Sequence, residues 1–171
     1  MKKFELTSET KINIFGKKLF RIKALISFGN VEAGETGGWV EKEENVNQSG
    51  DAWVSGNAWV SGDARVSGNA MVFGNAEVSG DARVSGNAEV SGNAEVSGNA
   101  DYTTIRGFGT QFRTTTFFRC KDKQVKVSCG CFYGTIPEFR EQVKNTRKGK
   151  IAEEYLMIAD LMEKHFAEEA K

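Results

Sequence analysis

Cys120, Cys129, Cys131 and His165 are the residues of this chain best able to hold a metal ion. Three thiolates and an imidazole can close a tetrahedral zinc site. The spacing argues against it. A hairpin turning at Asp122-Lys123 pairs Cys120 with Val125 and Phe118 with Val127, which leaves Cys120 apart from the C-x-C pair. The expectation is of reduced cysteines packed on a buried sheet face, with the four-ligand zinc set as the alternative. An odd number of cysteines in a cytosolic chain also argues against a disulfide framework.

Carboxylates are the second source of chemistry. Glu77 and Glu95 occupy equivalent positions in a repeated segment, and stacking them on neighbouring strands about 4.8 Å apart can raise one pKa. Acid–base work needs more: no nucleophile, pocket or positive partner is evident in their column. No catalytic residue and no cofactor are expected.

The elements that place these side chains follow from the repeat. From Ser49 the chain reads SGDAWV, SGNAWV, SGDARV, SGNAMV, FGNAEV, SGDARV, SGNAEV, SGNAEV, SGNADY without an insertion. A strict period with one β-branched residue per unit is the pattern of a solenoid whose coils share a core. Side chains alternate along an extended strand, so Ala and Val point in while Asn or Asp and the variable residue point out. Ser-Gly makes each corner, and the Asn or Asp after it can bond to nearby backbone.

With eighteen residues per coil, Trp53, Met71 and Glu89 stack on one face, Trp59, Glu77 and Glu95 on the second, and Arg65, Arg83 and Asp101 on the third. Asp63 and Asp81 precede the two arginines, so the third face reads as a self-neutralised ion-pair lattice. Trp53 and Trp59 must point out of the coil. An indole pair there is covered by a cap, used between subunits, or used to stack a ligand. Phe73, at a corner, has the same three options.

Two caps are expected. Residues 1–38 read as an N-terminal hairpin with turn residues Gly16-Lys17-Lys18, and residues 34–50 as an irregular first coil supplying Val40 and Val46. The repeat region is assigned to 39–112, with Phe108 keeping the valine position. Residues 113–171 form a C-terminal cap of a hairpin and two helices: one opened by a Thr135/Glu138 capping box with Pro137 in its first turn, the other carrying Ile151, Tyr155, Ile158, Met162 and Phe166 on one side. Covering the solenoid's open strand edges favours a closed object over a polymer.

Composition is that of a soluble globular chain: 171 residues, 39% hydrophobic and 27% charged, with twenty-three acids balancing twenty-three bases. Without a global field, neither direct nucleic-acid binding nor membrane attachment is expected. Residues 49–102 nevertheless carry seven acids against two arginines, a charge that could imitate a phosphate backbone. No signal segment is visible, so a cytoplasmic location is expected.

The units V-S-G-N-A-E resemble the hexapeptide repeat of left-handed parallel β-helices with a triangular cross-section. With the flanks FGNVEAGETGGWVEKEENV and CGCFYGTIPEFREQVK, the chain is similar to small hexapeptide-repeat proteins common in bacteriophage and prophage genomes. The resemblance implies a mainly β fold: a short left-handed parallel β-helix of three coils between an N-terminal β cap and a C-terminal cap of β-hairpin plus two helices. It implies no reaction. Hexapeptide acyltransferases depend on a histidine held by a coil or its loop, and His165 lies outside the repeat, so an acyltransferase-like relic is a rival only. The expected function is that of a non-enzymatic phage counter-defence protein in the cytoplasm of the infected host. It would bind a host defence protein or sequester its nucleotide signal, as a dimer or trimer. The candidate contact residues are Trp53, Trp59, Arg65, Met71, Phe73, Glu77, Arg83, Glu89 and Glu95. A structural or assembly role is the other rival.

Overall fold

The computed structural model describes residues 1–167 and is mainly β. Each hexapeptide supplies a two-residue strand: β4 Trp53–Val54, β5 Trp59–Val60, β6 Arg65–Val66, β7 Met71–Val72, β8 Glu77–Val78, β9 Arg83–Val84, β10 Glu89–Val90 and β11 Glu95–Val96. They pair in parallel every third strand, as β4-β7-β10, β5-β8-β11 and β6-β9, so three sheets enclose one core. Ala and Val at the inward positions are fully buried from Ala52 to Val96. Burying each such Val contributes roughly 1.5–3 kcal/mol, which no single coil could gain alone.

Every coil hydrogen-bonds to the next, as Trp53 N–H does to Ala70 O at 3.0 Å and Ser55 N–H to Val72 O at 2.9 Å. The corners require glycine. Gly80 has φ +60°, and a Cβ there would lie 2.1 Å from Ser97 O. The corner asparagines bond along the stack, Asn57 Nδ2 donating to Asn75 Oδ1 at 3.2 Å and Asn69 Nδ2 to Asn87 Oδ1 at 3.1 Å, while the turns are closed by backbone, as by Ala58 N–H to Ser55 O at 3.3 Å.

At the N-terminal end, β1 (Phe4–Ile12) and β2 (Lys18–Ala24) form the expected hairpin, and β3 (Thr36–Val40) joins it to the solenoid. β3 runs antiparallel to β2 and parallel to β5, so cap and second face are one continuous sheet. Val40 stacks on Val60 and Val46 on Val66, an irregular first coil two residues longer than the repeat. Gly37 is forced by packing: a Cβ would sit 2.5 Å from Trp53 Cζ2.

Two buried polar side chains finish this end where no coil lies above. Asn45 Nδ2 donates to Ala64 O at 2.9 Å and Gly62 O at 3.2 Å. Lys3, only 2% exposed, donates from Nζ to Ala52 O at 2.7 Å and Gly50 O at 3.1 Å. Both supply donors to carbonyls that inner coils satisfy with backbone N–H groups.

Burial lowers the Lys3 pKa from 10.5 to about 8, against a smaller opposing pull from Asp51. Between those values the unfolded chain holds a proton that the folded one has released, so stability rises with pH. Cys120, raised by burial to about 11 from 9.0, acts oppositely and withdraws stability between those two values. In urea titrations from pH 7 to 9, which sample about one unit above the lowered value, stability is expected to climb by at most about 1.4 kcal/mol, and Lys3→Met to flatten that climb. An unchanged slope in Lys3→Met would remove Lys3 as its source.

The C-terminal cap is a four-stranded antiparallel sheet in the order β12 (Tyr102–Phe108), β13 (Arg113–Arg119), β14 (Val125–Cys129) and β15 (Phe132–Thr135). It begins at Tyr102, within the span that the period assigned to the repeat. Phe118 and Cys120 face the solenoid and close its core, and Ala94 bridges to Cys120. Against the opposite face pack α1 (Ile136–Thr146) and α2 (Gly149–Phe166), burying Phe117, Val127, Phe139, Val143, Tyr155, Ile158, Met162 and Phe166. Phe108 packs with the helices and leaves the valine column. The Thr135/Glu138 capping box is formed, with Glu138 N–H donating to Thr135 Oγ1 at 3.3 Å and Thr135 N–H to Glu138 Oε2 at 2.6 Å.

The expected hairpin register is corrected by one residue. Phe117, not Phe118, pairs with Val127, and Arg119 with Val125. The turn holds three residues, Lys121 to Lys123, between Cys120 N–H and Gln124 O at 2.9 Å, with Lys123 in the left-handed region at φ +65°. Three-residue hairpins place a left-handed residue last, and the extra residue sends Phe117 to the helices and Phe118 to the solenoid. Among the described residues no helix is long and apolar enough to cross a membrane.

Candidate functional site

The structure withdraws several repeat residues from the outer surface. Trp53 is 1% exposed, held edge-on by Phe4 and Phe28 with ring centroids 6.2 and 5.4 Å away. Trp59 lies beneath Leu19 and Trp39, with Phe15 edge-on at 5.9 Å. Of the three options for these indoles, the structure takes the cap, so neither can stack a ligand in this arrangement. Met71 is half-buried, and Phe73 stays exposed at its corner.

The acidic columns are partly engaged from the other end, with Glu77 buried, Glu95 half-buried and Glu89 exposed. Glu77, 7% exposed, is ion-paired with Lys121 of the hairpin turn, the positive partner that its own column lacks. Glu89 Oε2 accepts from Ser128 Oγ at 3.0 Å, and its N–H donates to Thr116 Oγ1 at 3.1 Å. Glu95, in register with Glu77, is half-buried. Glu77 of the middle coil and Glu89 of the last thus each hold the cap, Glu77 as a buried ion pair and Glu89 while still exposed, and the acids do not form one free row.

The third face differs from the expected lattice. Arg65 and Arg83 are exposed and in register, but Asp63 pairs with Lys42 at 2.9 Å and Asp101 with Arg119 at 3.5 Å. Asp101 has left the column. Its Oδ2 accepts from Ser97 N–H at 2.8 Å and Gly98 N–H at 2.9 Å, turning the chain out of the solenoid.

The four candidate metal ligands of the sequence are dispersed, and the expected packing of the cysteines on one buried sheet face is corrected, since only Cys120 is buried. Cys120 faces the solenoid, Cys129 faces the helices, Cys131 is exposed in the β14–β15 turn and His165 is exposed on α2. The one-residue register change puts Cys120 and Cys129 on opposite faces of one sheet. Among the described residues no group of three metal-ligating side chains occurs.

What periodicity did not reveal is a cleft of about 450 Å³ in the C-terminal cap, between the β12–β13 connection, the β14–β15 turn and the last turns of α1. Phe132, Phe139, Val143 and Tyr155 supply its apolar surface, and Arg113 and Arg147 its charge. Tyr155 Oη donates to Phe108 O at 3.2 Å and packs on Gly109, where φ is +71° and a Cβ would come within 2.5 Å of that oxygen. The Arg113 guanidinium lies over Gly130, where a Cβ would meet Nη1 at 2.3 Å. Burial raises the Tyr155 pKa, with a further push from Cys129, while Arg147 and Arg113 pull it down. Glu154 adds to the upward push, so a carboxylate as well as the two guanidiniums acts at that hydroxyl.

The amphipathic stripe containing Phe139 and Val143 was legible in the sequence. That Arg113 and Arg147 flank it was not, because only the folded sheet brings them to the same helix end.

A family model described as the YdcK Beta solenoid repeat matches residues 64–80. That segment is β6, β7 and β8, one strand from each face. The chain is similar to that repeat over one coil, in keeping with the solenoid seen here, and the match reaches neither cap. No curated protein matches the chain.

Proposed function

We propose that this β-solenoid repeat protein is a non-enzymatic binding protein. One observation carries the reading: both ends of the solenoid are sealed by the chain itself, by Lys3, Asn45 and the β1–β3 sheet above and by Phe118, Cys120 and β13 below. A polymerising solenoid keeps its terminal strand edges free, whereas a sealed one has its side faces and caps as contact surfaces. The setting we propose is the cytoplasm of an infected bacterium. There the protein, as a dimer or trimer, occupies a host defence protein or sequesters that protein's nucleotide signal. The support is the resemblance of both flanks to phage and prophage hexapeptide-repeat proteins.

The test is native mass spectrometry of the protein taken untreated from lysate of its host. Added mass matching a host protein or a nucleotide is expected. A bare oligomer would overturn the reading and favour the structural role, which concentration-dependent filaments in light scattering would establish.

A further inference from the structure

We infer that the cleft in the C-terminal cap binds a small organic anion in which a phosphate or carboxylate is attached to a planar ring. The inference rests on the binding-protein reading and adds to it a location and a ligand class.

Charge comes first. The cleft lining contains the guanidiniums of Arg113 and Arg147 and no carboxylate, in a chain whose acids and bases balance overall. Elsewhere in the cap Arg140 reaches Asp160 and Glu163 at 2.7 Å each and Arg119 reaches Asp101 at 3.5 Å, while Arg106 on β12, outside the cleft lining, stands without an acidic partner among the described residues. Among the described residues neither Arg113 nor Arg147 has an acidic partner. Guanidinium groups fit phosphate and carboxylate oxygens in bidentate geometry, and are less strongly hydrated than an ammonium, so an anion recovers what the arginines leave unused.

Shape comes second. Beside the two arginines lie the rings of Phe132, Phe139 and Tyr155, with Phe132 and Phe139 tilted at 53° and their centroids 5.5 Å apart. A bare phosphate would leave this surface wet, whereas a ring would cover it. About 450 Å³ lies within the range of small-molecule sites, and an apolar wall with a few convergent polar groups is their usual composition.

The C-terminal end of α1 also borders the cleft and by itself disfavours an anion. That end is partly answered. Arg147 N–H donates to Val143 O at 2.8 Å, Thr146 Oγ1 donates to Gln142 O at 2.6 Å, and Arg147 puts a full positive charge on the helix end.

The experiment uses the protein and its Arg113→Gln/Arg147→Gln variant in calorimetry with adenosine 5′-monophosphate and 4-hydroxybenzoate, and with adenosine and 4-hydroxybenzyl alcohol as neutral counterparts. At least one anion is expected to bind at least tenfold more tightly than its neutral counterpart, and the double variant to weaken it by about a hundredfold, tenfold per arginine. The phosphate and carboxylate arms separate the two sources of negative charge. Exposed Cys131, which lines the cleft, gives a second readout through slower alkylation when the anion is bound. Equal binding of anion and neutral compound, or of wild type and double variant, would overturn the inference, as would no binding by either anion. Native mass spectrometry of the double variant from host lysate keeps the two readings distinct. Retained adduct with no arginine dependence leaves the binding-protein reading standing and removes this site.

Discussion

Trp53→Ala is expected to lower the stability of the protein by about 3–5 kcal/mol, the range for removing a large buried aromatic side chain. The indole is 1% exposed and joins three segments distant in sequence: Phe4 on β1, Phe28 before the first coil, and Gly37 on β3, whose missing Cβ makes the space for it. Its Nε1 has no hydrogen-bond partner, so its contribution comes from packing and area alone. Alanine leaves a cavity bounded by a sheet continuous with the solenoid, which cannot readily collapse. Urea denaturation measures the loss. Hydrogen exchange should place the earliest opening in β1 and β2. A loss under 1 kcal/mol would mean that the N-terminal segment leaves the indole without consequence, and Trp53 would return as a contact residue.

Phe118→Asp is the second large effect, on the order of 4 kcal/mol or more, because a carboxylate would enter the apolar end of the solenoid core without a partner. Phe118 is fully buried there among the last coil's Ala and Val residues and Cys120. Solenoid coils stabilise only their neighbours, so loss of the cap should propagate from one end. Hydrogen exchange in the variant is expected to show amides of β10 and β11 exposed while those of β4 and β5 keep their protection. Uniform loss across all coils would show instead that solenoid and caps unfold as one unit.

These two residues also show where sequence reading reaches its limit. The six-residue period requires that Trp53 point out of the coil, and it does. The period contains nothing about what lies outside, and only a contact with Phe4, 49 positions away in the chain, turned an outward indole into a buried one. Phe118 and Phe117 are adjacent and equally apolar. Which of them plugs the solenoid depends on a single turn residue, Lys123 at φ +65°, since one residue of register exchanges the faces of a strand.

Helix α1 was legible through its capping box and Pro137, both local signals, and α2 through its apolar spacing. The polar end caps were not. Lys3 and Asn45 look like ordinary surface residues until the carbonyls of Gly50, Ala52, Gly62 and Ala64 need donors. Glu77 and Glu89 looked like free outward acids of two faces until Lys121 buried the first and Ser128 bonded the second, which stays exposed.

The sequence by itself determined the repeat, the inward Ala and Val columns and the presence of two caps, because each depends on periodicity or on partners a few residues apart. Only the tertiary structure decided which outward residues remained on the surface, which face of the C-terminal sheet met the solenoid, and that Arg113 and Arg147 would share a cleft with Phe139. Each of those depends on packing between segments far apart in the chain, where a one-residue shift in register reverses the outcome.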